Sequence, residues 1–270
     1  MTFPPAFPAW LAATLGAVIV LSLATYANLL HHILTRGGKV RVSEFALPDL
    51  FVGSFFAAWF GLLIARGFGG EPHPIKDSDI VHGAVLFALI TFGIMGFLRY
   101  RGVKILAQFG FTRLSAFKVP WLALGLLLAA YPAVTLTGKL TELGLGAKAQ
   151  RQETVNFFLE AAQKSDRSSL LLMLAMGVVV APVAEEFLFR GYLYGVMKRY
   201  CGTIAAMLLS SALFAAIHLN LASLPALFVL AMAFAIAYET TGSILVNMTM
   251  HALFNLTMFL LMLNLPSSLR

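Results

Sequence analysis

Six polar side chains in the second half of this chain stand inside stretches that are otherwise apolar. Glu185, Glu186 and Arg190 share one stretch, His218 lies in the next, and His251 and Asn255 occupy the last. Ionisable residues in such surroundings are costly and usually functional. Glu186 and Arg190 are four apart with the acid on the N-terminal side, so they share a helix face and can neutralise each other. Glu185 lies about 100° around the helix from Glu186. Four residues before and after it stand Ala181 and Phe189, so no cation on its own helix serves it. A carboxylate so placed must find its partner on another helix, as a general base does. His251 and Asn255 are also four apart, and an imidazole beside a carboxamide can direct two donors to one point, as an oxyanion site requires.

Depth favours a meeting of these groups. Glu185 is 17 residues before Gly202 and His218 is 16 after it, about 25 and 24 Å at the helical rise. An antiparallel hairpin turning at Gly202 brings them level, with Phe214 on the face of His218 and able to pack on the imidazole. Bland readings stand beside these: a buried polar network for the acids, a satisfied core histidine, and an interhelical clasp made by His251 and Asn255. Asn247, one turn before His251, reads as structural. Before Leu170 the polar residues His31, His32, Asp49 and His82 sit at segment ends, where headgroups receive them.

The elements that must position these groups are membrane helices. Of 270 residues 60% are hydrophobic and 11% charged, against roughly 25% charged in a soluble domain, and the mean hydropathy is +0.86. Eight apolar runs are expected to span: Trp10–Leu30, Leu47–Ile64, Ile80–Phe97, Pro120–Leu136, Leu170–Phe189, Thr203–Leu219, Leu224–Tyr238 and Ser243–Leu263. They are uniformly apolar without alternation, which excludes a barrel and leaves helices. The fold class is therefore an all-α polytopic bundle. It is one packing unit, divided by content into N-terminal helices over 1–140 and site-bearing helices over 141–270. The first run has no basic segment ahead of it and reads as a retained helix rather than a signal peptide.

Gln150–Lys164 spaces Val155, Phe158, Leu159 and Ala162 at helical intervals and predicts an amphipathic surface helix; Val103–Leu114 predicts a second, weaker one. Basic residues gather in Arg36–Arg41, Arg99–Lys118 and Lys198–Arg199, while the alternate loops are acidic or mixed, with Glu71, Asp77 and Asp79 in one. The positive-inside bias then places the first, third and fifth connections in the cytoplasm and both termini outside. The cations form no continuous stripe, so a nucleic-acid partner is not expected. Cys201 is the single cysteine, which excludes an internal disulfide.

Glu185–Glu186–x–x–x–Arg190, Phe214–x–x–x–His218 and His251–x–x–x–Asn255, in that order and each in its own apolar segment, resemble the three motifs of the CAAX protease and bacteriocin-processing enzyme family, the Abi proteins of bacteria. The resemblance covers roughly residues 170–263, and Gln150–Lys164 is similar to the segment before the first motif in bacterial members. It implies a glutamate-dependent intramembrane endopeptidase in a bacterial cell membrane, acting on a membrane-associated or lipid-anchored peptide or protein. Glu185 and His218 would activate water, His251 and Asn255 would stabilise the oxyanion, and Glu186, Arg190 and Phe214 would support them. No cofactor is called for. A Glu/His/His set could take zinc with one position left for water, but the H-E-x-x-H spacing is missing, which favours a metal-free route. The alternatives are a catalytically silent immunity factor or adaptor of the same fold, and a proton-relaying transporter. The internal repeats and broken paired helices common in transporters are not found.

Overall fold

The structure, a computed structural model, describes residues 8–67 and 74–264. Among the described residues every regular element is helical. Helices α1 (Ala9–Arg36), α2 (Leu47–Gly67) and α3 (Asp77–Tyr100) are followed by a single turn, α4 (Ile105–Gln108), and by the long α5 (Lys118–Leu145). Next come α6 (Glu153–Gln163) and an almost unbroken run, Arg167–Ala216. That run comprises α7 (Arg167–Ala175), a π-helical segment (Met176–Val180), α8 (Ala181–Glu185), a second π segment (Glu186–Leu193) and α9 (Tyr194–Ala216). Helices α10 (Leu224–Thr241) and α11 (Ile244–Asn264) complete the bundle.

Among the described residues seven helices are long and apolar enough to cross a membrane. The fifth, Arg167–Ala216, reverses at Gly202, whose φ of 80° and ψ of 171° break the helix. The chain thus makes eight helical limbs, as the apolar runs predict. The limb after Gly202 is shorter than the expected Thr203–Leu219. It stops at Ala216 and Leu219 takes a left-handed φ of 52°, so His218 stands on a turn inside the bundle.

One further expectation is corrected. The stretch Val103–Leu114 contains one helical turn, Ile105–Gln108, and no surface helix. The division at residue 140 falls inside α5, which runs to Leu145. By contrast α6 is amphipathic as its spacing predicts, burying Phe158, Leu159 and Ala161. Glu71, assigned to an acidic loop, lies outside the described residues.

Hydrogen bonds fix which connections share a face. Lys39 N donates to Glu239 O at 2.8 Å, Arg113 Nη1 to Lys39 O at 3.1 Å, and Lys198 Nζ to Val40 O at 3.0 Å. These join the α1–α2 connection, the α3–α5 connection, the Gly202 hairpin and the end of α10. On the opposite face Ser169 donates to Asp77 at 2.9 Å, Gln152 to Ser223 at 2.7 Å and Asn220 to Gln150 O at 3.0 Å. Odd and even connections therefore segregate as an up-and-down bundle demands. Between them one core packs Ile33 of α1, Phe60 of α2, Ile94 and Leu98 of α3, Phe187 to Val196 of the fifth helix, Phe214 of α9 and Met248 of α11.

Candidate active site

Glu185 ends α8 and Glu186 opens the second π segment, so the acid pair stands where the helical pitch changes. Pro182 accounts for the first π segment. A proline inside a helix donates no N–H, and its ring crowds the carbonyl four residues back, here that of Val178 within Met176–Val180. All eight residues Glu186–Leu193 are buried, so this limb has no outer face along the second π segment and occupies the centre of the bundle. Single π turns inside helices recur at functional sites.

The charges converge there. Arg190 Nη1 donates to Glu186 Oε1 at 3.0 Å, with both side chains fully buried. The guanidinium lies over two rings, 4.2 Å from the centroid of Phe214 and 5.3 Å from that of Phe234, where it gains cation–π attraction in place of water. The same Glu186 Oε1 stands 3.0 Å from His251 Nδ1. A carboxylate paired with arginine only accepts, so His251 Nδ1 carries the proton and Nε2 faces the other way. His251 Nε2 lies 4.0 Å from Glu185 Oε2.

His218 is fixed by the same device. Its Nδ1 is 2.7 Å from the carbonyl oxygen of Phe214, an acceptor only, so Nδ1 donates and Nε2 keeps its lone pair when the ring is neutral. The ring stands 4.9 Å from Phe214, which is itself 5.9 Å from His251 and 5.3 Å from Phe189. Glu185, His251 and Arg190 all lie within electrostatic reach of His218. Phe214 is thus the apolar hub that both imidazoles and the guanidinium share.

The structure brings Glu185, Glu186, Arg190, Phe214, His218 and His251 together inside the bundle. Asn255 is placed differently. Its Nδ2 donates to the carbonyl oxygen of Gly177 at 2.7 Å, in the first π segment, so one of its two protons holds α11 against that backbone. Two further neighbours stand beside these, Asn247, which the sequence reads as structural, and Phe234. Asn247 Nδ2 donates to Phe234 O at 2.7 Å and lies 3.5 Å from Glu186 Oε2; its helical register with His251 was the available signal. Phe234, 5.4 Å from His251, is an apolar residue in an apolar helix and carried none. Among the described residues no three His, Cys, Asp or Glu side chains are grouped to hold a metal ion.

A family model described as type II CAAX prenyl endopeptidase Rce1-like matches residues 167–257. An Escherichia coli protein described as "Uncharacterized 24.3 kDa protein" is 34% identical over 176 residues, covering 63% of this chain and 74% of that one. The Bacillus subtilis (strain 168) "Putative membrane peptidase YdiL" is 24% identical over 201 residues, covering 72% and 78%. No solved structure matches the chain. Every site residue named from the sequence falls inside the matched segment, and the chain belongs to the Rce1-like family, as an integral membrane peptidase.

Proposed function

We propose that the chain is an intramembrane endopeptidase in which Glu185 activates water against a peptide bond of a membrane-associated or lipid-anchored substrate. The observation that carries this reading is the 4.0 Å approach of His251 Nε2 to Glu185 Oε2, with His251 held from behind by Glu186. A base, a second polar atom aimed at the same point and a third group orienting that second one form the constellation that hydrolysis uses. Glu185 takes a proton from water while the water oxygen adds to the carbonyl carbon. His218 Nε2 holds the same water. The oxyanion receives a donor from the Asn255 N–H not engaged by Gly177 and, in the form of the ring protonated on both nitrogens, from His251 Nε2–H. The C–N bond then breaks, and the proton on Glu185 passes to the leaving amine.

The test compares wild type with Glu185→Gln, purified in detergent and incubated with peptides of the membrane fraction. A general base contributes about 10²–10⁴-fold in rate, so cleavage is expected to fall by that order. The folded state should melt no lower, because an apolar bundle disfavours an ionised carboxylate more than an amide. Cleavage by Glu185→Gln at the wild-type rate would transfer the role to another group, and the adaptor or immunity reading would follow if neither protein cleaves. A chelator run in parallel addresses zinc: complete loss of cleavage restored by zinc would overturn the metal-free route.

A further inference from the structure

Positive charge predominates on one face of this protein. The first, third and fifth connections, with the helix ends beside them, hold ten lysines and arginines against Glu44, Asp49 and Glu239. Ten cations against three acids give that face a net charge of +7, equal to that of the whole chain. Three of these cations are engaged: Arg101 with Asp49, Lys198 with Glu239, and Arg113 with the carbonyl oxygen of Lys39. Arg41 and Lys104 are not. Among the described residues neither side chain has an ion-pair or hydrogen-bond partner.

Both line one cleft of about 280 Å³ between the α1–α2 connection and the turn that joins α3 to α4, together with Ser43, Glu44 and Gln108. Its walls are tied by Gln108 Nε2, which donates to Arg41 O at 2.8 Å, and by Arg101, which donates to Glu44 O at 3.2 Å. Beside it two large apolar side chains are exposed, Leu47 at 62% and Leu106 at 60%. The cleft therefore offers unpaired cations and a hydroxyl at the membrane boundary, flanked by surface that suits hydrocarbon. Basic pockets at the ends of membrane helices bind anionic headgroups.

We propose that this cleft holds the phosphate of an anionic lipid headgroup between Arg41 and Lys104, with the acyl chains running along Leu47 and Leu106. A free phosphate would use the cations equally but would leave the apolar flank bare. Glu44 opposes any anion in the cleft and so sets its affinity. The site is separate from the acid pair, and its occupancy does not depend on the peptidase reading.

The test uses the full chain in neutral detergent and native mass spectrometry, with phosphatidylglycerol, phosphatidylcholine and inorganic phosphate as probes. Phosphatidylglycerol is expected to be retained over phosphatidylcholine and not displaced by inorganic phosphate in molar excess. Arg41→Gln with Lys104→Gln should weaken it about 30-fold, roughly fivefold for each charge near an anionic surface. Glu44→Gln should strengthen it about fivefold by the same rule. If the double variant melts before lipid is added, Arg41→Gln alone and Glu44→Gln carry the test through their opposite signs. Equal retention of the two lipids, displacement by inorganic phosphate, or indifference to these substitutions would overturn the proposal.

Discussion

At the scale of single residues, the site is held by one oxygen. Glu186 Oε1 accepts from Arg190 and from His251 at 3.0 Å each, so the pair that neutralises charge also aims the imidazole. Removing one partner of a buried ion pair leaves an uncompensated charge and costs about 3–5 kcal/mol. Arg190→Ala should accordingly lower the melting temperature in detergent and abolish activity together, and a variant that melts like wild type would show the pair to be dispensable. The Glu186–Arg190 pair was legible in the sequence, because four-residue spacing puts both on one helix face whatever the bundle does. The contact of His251 with Glu186 was not, because helix rotation is set by packing between limbs. One proton of the Asn255 amide meets the backbone of Gly177, a partner without a side chain and so invisible to any reading of residue types, and the other is left for the oxyanion role proposed for it.

At the scale of elements, two π segments set the register of the acid pair against α11. Pro182 signals the first of them, but the second has no local residue that demands it; it arises in a limb packed on all sides. Gly177 is the contact that makes this register workable, since a Cβ there would lie 2.7 Å from the Phe259 ring. Gly177→Ala should push α11 outward, stretch the Asn255 bond and destabilise by about 1–3 kcal/mol, as overpacking does. Adding Phe259→Leu should restore much of the loss in a thermal melt, and no rescue would place the strain elsewhere. The start of α7 offers a pH-dependent counterpart. Asp166 accepts from the Ser168 hydroxyl at 2.6 Å and from the Ser168 and Ser169 N–H groups at 3.1 and 3.3 Å. The Ser168 hydroxyl first, then Ser169, hold its carboxyl down at about 2. A group with a lowered folded pKa stabilises fully above its unfolded value near 3.9 and loses that contribution as pH falls through the folded one. Hydrogen exchange in the first turn of α7 should therefore quicken between about pH 4 and about pH 2 beyond its intrinsic trend. Unchanged protection across that window would contradict the cap.

At the scale of the whole molecule, the eight limbs and their alternation were legible because lipid forces every span into an apolar helix and loop charge marks sides. The short limb after Gly202 was not, since the left-handed turn at Leu219 that ends it leaves the apolar pattern intact. Sidedness has a ready reporter in Cys201, the single cysteine, exposed at the Gly202 hairpin on the basic face. If that face is cytoplasmic, an impermeant maleimide should leave Cys201 unmodified in intact cells and label it after permeabilisation; labelling in intact cells would invert the topology. The central claim is that Glu185 directs water, and no other nucleophile, at a peptide bond within this bundle. The most direct measurement incubates purified wild type and Glu185→Gln with membrane-fraction peptides in ¹⁸O-labelled water and reads the new carboxyl termini by mass spectrometry. The account predicts single ¹⁸O incorporation at new termini with wild type and about 10²–10⁴-fold fewer such termini with Glu185→Gln. Equal yields of labelled termini from the two proteins would contradict it.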